Sequence, residues 1–236
     1  MELRYGGGGV KPKTNDYYIA VIGDIKGSKA LSDRDEMQKK LRNALDDINR
    51  SFSDDISSKF IITLGDEFQG LLCSGNHLME IITLLEQGTN PAKLRFAIGI
   101  GRITTEINPE MALGADGPGY HKARQAIEYM KQNEKKNEAV PTDIRFESEE
   151  GYDSIVMLLN TVGALAAGIK EDWSDRQREI IWDMLRHQDN QVNAANRLGI
   201  KQPTIQKTLS KGKYYTYKSA LESINKSIEE IYNSYQ

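Results

Sequence analysis

The chain is short of cysteine, of long apolar runs and of any strong excess of charge. A single cysteine, Cys73, stands among 236 residues, so no intrachain disulfide can form, as suits a reducing cytoplasm. No apolar run reaches the roughly 20 residues that a membrane span needs. The opening Met1-Glu-Leu-Arg-Tyr, followed by Gly6 to Gly9, lacks the apolar core of a secretion signal. The P-loop Gly-Lys-Ser/Thr and the full dinucleotide fingerprint are missing too. These absences lead to the expectation of a cytoplasmic protein with no membrane partner. What is present, 39% apolar and 28% charged residues, fits a soluble globular protein of one or two domains. The formal net charge of −3 is uneven: from Lys170 onward 11 basic and 9 acidic side chains give +2, leaving −5 for the rest.

The stretch Phe60 to Leu72 reads as two short strands folded back at Gly65-Asp66. Its acidic pair, Asp66 and Glu67, is open to two readings. Asp is common in turns because its side chain bonds nearby backbone, or the turn aims a carboxylate at a metal or phosphate. Tyr17 to Gly23 reads as a buried strand that ends in Asp24-Ile-Lys-Gly-Ser28. Met37, Leu41, Leu45, Ile48 and Phe52 fall on one helical face, and Leu78, Ile81, Ile82 and Leu85 repeat that spacing up to Gly88, read as a helix stop. In the strand Leu94 to Gly101, Leu94, Phe96, Ile98 and Ile100 alternate with Arg95, Ala97, Gly99 and Gly101. That small-residue face implies close backbone approach by a helix or a ligand. The loop Leu113 to Tyr120 runs into a helix from His121 to about Asn133, and such a loop can hold phosphate. A short last strand follows at Asp143 to Glu147. Ser154 to Ile169 predicts an apolar helix. It suits an ordinary core, a junction between two domains or a dimer interface.

The C-terminal part predicts three helices and a longer fourth. Ser174-Asp-Arg-Gln177 has the capping-box form. A second short helix carries Val192, Ala195 and Leu198 and stops at Gly199, and a third begins at Gln202-Pro203. Ile205 and Leu209 face inward, which leaves Lys201, Gln202, Thr204, Gln206, Lys207 and Lys211 outside. These are the side-chain types that a recognition helix uses on bases and phosphates. Tyr214, Tyr215 and Tyr217 then lead into an amphipathic helix through Leu221, Ile224, Ile228 and Ile231. The tyrosines suit either a core or a backbone contact.

Three resemblances attach to these residues. Ala194 to Leu209 resembles the helix-turn-helix of bacterial regulators. Ile22-Gly-Asp24-Ile-Lys-Gly-Ser28 and Leu64-Gly-Asp66 resemble the two metal motifs of class III nucleotidyl cyclases, and Gly65-Asp-Glu-Phe68 is similar to the core of diguanylate cyclases. This likeness implies Asp24 and Asp66 as ligands of Mg or Mn, with the Ile25 carbonyl assisting. The chain departs from cyclases after the glycine loop, with His121 where they carry Asn and Gln125 where they carry Arg; Arg124 lies about 100° round the helix from Gln125. The pattern Ile22 to Lys26, Thr63 to Leu71, Gly99-Ile-Gly101 and Ala112 to Arg124 resembles the SatD family, which is linked to acid tolerance.

The expectation is therefore an α+β fold: a cyclase/ferredoxin-like sandwich followed by a C-terminal all-α helix-turn-helix domain. The divisions are a flexible tail over 1–16, the cyclase-like domain over 17–150, a linker helix over 151–172 and the helix-turn-helix over 173–236. Phosphate or nucleotide binding is expected at Gly27, Ser28, Gly114, Gly117, His121 and Arg124. Glu67 is expected to point to the face opposite Asp66. The leading function is a homodimeric DNA-binding regulator whose first domain binds a nucleotide or metal, or serves as a dimerisation scaffold. An active nucleotidyl-transfer enzyme and a protein-interaction adaptor are the alternatives.

Overall fold

Strand and helix boundaries follow the apolar periodicity closely. The computed structural model describes residues 17–28, 33–134, 136, 142–149 and 151–235, so the tail read over 1–16 lies outside the described residues. In chain order the elements are β1 (Tyr17–Ile25), α1 (Arg34–Ser51), β2 (Ile56–Leu64), β3 (Glu67–Leu72), α2 (Leu78–Thr89), β4 (Leu94–Arg102), α3 (Pro118–Asn133) and β5 (Ile144–Ser148). The helices α4 (Asp153–Glu171), α5 (Asp175–His187), α6 (Gln191–Arg197), α7 (Gln202–Lys211) and α8 (Tyr214–Ser234) follow. The result is a mixed α+β protein with one five-stranded sheet and eight helices among the described residues.

The sheet runs β2-β3-β1-β4-β5, antiparallel except for the parallel β4–β5 pair. β1 is central and buried on both faces, as its continuous apolar run requires. One face, with Ile19, Val21, Phe68, Phe96 and Ile98, packs on α1 and α2. The other, with Ala20, Ile22, Leu71 and Ala97, packs on Tyr120, Ala123 and Ile127 of α3. A helix, not a ligand, takes the small-residue face of β4. A Cβ on Gly101 would stand 2.9 Å from the amide nitrogen of Gly119, and one on Gly99 would overlap the Gly119 carbonyl oxygen.

Gly88 does not stop α2, which continues to Thr89. The glycine is there because α1 crosses at that point: a Cβ would lie 2.7 Å from that of Ala44. Both sheet edges are closed by an asparagine amide. At β2, Asn49 accepts from the Phe60 N–H at 2.8 Å and donates to its carbonyl at 2.9 Å. At β5, Asn160 does the same to Phe146, at 2.8 and 2.9 Å. Each amide takes the place of a neighbouring strand, so the edge offers a second chain no free template there.

The C-terminal helices build onto the same core that α1 and α2 cover. A continuous apolar cluster runs from the sheet through Leu85 and Leu159 to Ile180, Leu209, Tyr217 and Ile228. Tyr214 and Tyr217 are core residues, whereas Tyr215 is exposed. The junction is also polar. His77, at the N-cap of α2, makes no capping bond among the described residues. Asn225 of α8 supplies it instead, accepting from the Met79 N–H at 2.9 Å and donating to Glu80 at 2.7 Å. Glu229 accepts from the Gly75 N–H at 2.5 Å. Free N–H groups at a helix start need such acceptors. Asn225→Ala is therefore expected to cost about 1–2 kcal/mol in urea unfolding, with the m-value unchanged; a wild-type midpoint would show that water serves as well.

Candidate functional site

Asp24 lies near the end of β1, opposite Arg95 of β4, and is 5% exposed. Its neighbour on the other side follows from the register. Gly23 pairs with Phe68, so Asp24 stands opposite Glu67, and cross-strand neighbours share a face. The carboxylate facing the same side as Asp24 is thus Glu67, and Asp66 sits in the turn. The expectation paired Asp24 with Asp66; the register of β3 on β1 is one residue away from the one that would align those two, and it sets Glu67 beside Asp24 instead.

Cations from the protein surround this pair. Arg95 Nε donates to Asp24 Oδ1 at 2.8 Å, and Lys131 Nζ, from the last turn of α3, meets Oδ2 at 2.7 Å. Lys131 also stands 3.9 Å from Glu67 Oε2, and Arg124 donates to both Glu67 oxygens at 2.8 and 2.9 Å. Arg124 thus reaches the cluster. Alternating pairs extend it: Arg95 to Glu134 at 3.1 Å, Glu134 to Lys26 at 3.4 Å, Lys26 to Asp143 at 2.8 Å, and Asp143 to Lys170 at 2.9 Å. Lys170 ends the chain on buried Glu86. Burial alone would push the Lys170 ammonium toward neutrality; Glu86, with Asp143, reverses this and holds it protonated.

A divalent cation does not fit between Asp24 and Glu67 in this arrangement. Both Asp24 oxygens are engaged, and the Lys131 ammonium stands where a metal would bridge the two acids. Among the described residues no group of three or more His, Cys, Asp or Glu side chains is placed to hold a metal. The expected phosphate residues divide between the two ends of α3. Gly27 and Ser28 follow β1, at the Asp24 end of the sheet. Gly114, in the glycine loop, and Gly117, with left-handed φ values of 89° and 151°, lie at the other end with His121. The Nε2 of His121 pairs with Asp116 at 3.0 Å. From Gly117 to Lys131 is about 21 Å of helix, so the glycine loop does not meet the carboxylates.

Asp143 is the acidic member of this network whose carboxyl the neighbouring lysines hold down. Burial acts to raise its carboxyl, but Lys170 and Lys26 outweigh it and hold it at about 2, below the ordinary 3.8. A depressed carboxyl stabilises the fold above its unfolded value and loses that contribution as pH falls through the folded one. Between pH ~4 and ~2 the chain should therefore lose about 2 kcal/mol through this residue. Asp143→Asn should flatten that part of the stability–pH curve in urea titrations, and an unchanged slope would refute the assignment.

The second candidate surface is α7. Asn190 caps α6 on the Val192 and Asn193 N–H groups. The turn after α6 is a Schellman motif: Gly199 has φ 64°, Ile200 N–H bonds the Ala195 carbonyl at 3.0 Å, and Gly199 N–H bonds Asn196 at 3.3 Å. Pro203 then opens α7 in its first turn. Ile205 and Leu209 are buried, while Lys201, Thr204, Gln206, Lys207 and Lys211 face solvent. Gln202 is half-buried and donates to Gln191 at 2.8 Å, so it ties α7 to α6. Among the described residues, none of the ion pairs engages Lys201, Lys207 or Lys211, whereas nearby Arg197 is committed to Asp183 and Asp189, at 2.7 and 2.6 Å.

The sequence profile of the SatD family matches residues 18–231, spanning the sheet, α4 and nearly all the C-terminal helices, and the chain belongs to that family. No curated protein matches it significantly.

Proposed function

We propose that this SatD-family protein is a cytoplasmic regulator that binds duplex DNA, with α6, its turn and α7 forming a helix-turn-helix and α7 lying in the major groove. The observation that carries this is the outward face of α7: three lysines without carboxylate partners among the described residues, beside Thr204 and Gln206, on a helix that follows a Schellman turn. Lysines left unpaired in this way suit phosphates, and Thr and Gln suit base edges.

The sheet unit, in this proposal, is a cyclase/ferredoxin-like domain. The order β4-β1-β3-β2, with α1 and α2 on one face, supports that reading. Its task is that of a rigid scaffold, because Asp24 and Glu67 are neutralised by Arg95, Lys131 and Arg124. Two measurements test the pair of statements. Fluorescence anisotropy with genomic DNA fragments should show binding whose logarithm falls linearly with the logarithm of salt; no binding at micromolar protein sinks the DNA reading. Nucleoside triphosphates with Mg²⁺ or Mn²⁺ should give no product. Turnover that disappears in Asp24→Asn or Asp66→Asn would replace the scaffold by an enzyme.

A further inference from the structure

We propose that α4 is the pairing helix of a homodimer, packing antiparallel against α4 of a second copy about a two-fold axis at Thr161. The helix docks on the protein through Val156, Leu159, Gly163 and Ala166, which lie against β5 and α8. Its outer side is apolar as well: Met157 is 62%, Leu158 60% and Leu165 66% exposed. No charged residue occurs from Ser154 to Ile169. Three large exposed apolar side chains within nine residues of one helix form a contiguous patch, which marks an interaction surface.

The pattern of that surface says what covers it. Ser154, Thr161 and Gly168 are exposed small residues at intervals of seven, and each is a place where another helix can come close. Met157 and Leu165 stand four residues before and after Thr161. Read from Thr161, the exposed face is therefore nearly the same in both directions: large at four, small at seven. Packed antiparallel about a two-fold axis at Thr161, the small residues of the two helices oppose one another and let the backbones approach, with the large apolar side chains closing over them on either side, in an isologous interface. The axis sets Met157 of one copy beside Leu165 of the other, twice. A groove of about 1290 Å³ runs along the same side, walled by Met157, Ala164 and Leu165 and, from α3, by Tyr129. Arg145 stacks on the Tyr129 ring at 3.7 Å and makes that wall firm. Strand addition is not an equal competitor, since Asn49 and Asn160 close the sheet edges at Phe60 and Phe146. The inference is independent of DNA binding.

Sedimentation velocity of the full chain at micromolar concentration should give twice the chain mass. Met157→Glu with Leu165→Glu should raise the dimer dissociation constant at least a hundredfold. Because both side chains are exposed, far-UV circular dichroism should remain that of the folded chain. In a Cys73→Ser background, Thr161→Cys should cross-link to itself with a short bismaleimide. A wild-type monomer overturns the proposal, including one that floats with lipid vesicles, since α4 is, by length and composition alone, apolar enough to cross a membrane. A dimer that survives the double Glu variant and does not cross-link at position 161 overturns it equally.

Discussion

Gly99→Ala is expected to cost at least about 3 kcal/mol and to leave much of the chain unfolded, whereas Gly168→Ala, measured at concentrations where the chain is monomeric, is expected to stabilise it by about 0.5–1 kcal/mol. The two glycines differ in what a methyl group would meet. At Gly99 it overlaps the Gly119 carbonyl oxygen and the Ala123 amide nitrogen, and it lies 3.1 Å from the Ala123 Cα. These are backbone atoms of a helix, so none can rotate aside as a side chain would. The first half of α3 would have to lift from β4, opening the cluster of Ala20, Ile22, Ala97, Tyr120 and Ile127. At Gly168, on the open side of α4, nothing lies within 4 Å, and alanine recovers helix propensity. Urea midpoints of the two variants decide the matter. A wild-type midpoint for Gly99→Ala would mean that α3 slides freely on the sheet and that the glycine face of β4 is not what seats it.

The same contact shows what the sequence could and could not convey. The alternation of Gly and Ala with large apolar residues from Leu94 to Gly101 carried the prediction of a close approach, because a period of two is a local property. The turn at Gly65-Asp66, the capping box at Ser174 and the stop at Gly199 were legible for the same reason. Gly88 was misread because a helix stop and a helix crossing ask for the same residue, and the choice depends on Ala44, far away in the chain. The face of Glu67 depends on how β3 registers against β1, and a one-residue offset exchanges the two acids. The partners of Asp24 come from residues 95 and 131, and the cap of α2 from residue 225; no local signal announces such pairings. The motif at Asp24 and Asp66 is a local pattern, while the cations paired with Asp24 became visible with the fold.

Lys207→Ala combined with Lys211→Ala should weaken binding to duplex DNA about sixtyfold at 0.1 M salt and reduce the salt slope by about two, with urea stability unchanged. The magnitude follows from counterion release. Each phosphate neutralised adds about 0.9 to the slope, which at 0.1 M salt is about eightfold in affinity, and two contacts multiply. Lys207 and Lys211 are four residues apart on α7, one turn above the other on its exposed side, so both can follow one strand of the backbone. Their ammonium groups have no carboxylate partner to lose among the described residues, and this keeps the fold out of the measurement. Arg197→Ala is the contrasting variant. It frees Asp183 and Asp189 and loosens the α5–α6 corner, so it should lower stability together with binding. Thr204→Ala should narrow the difference between preferred and random DNA while leaving the salt slope intact, since a base-edge contact releases no counterion. An unchanged slope in the double lysine variant would remove α7 as the DNA-facing helix, even if the protein still bound DNA by another surface.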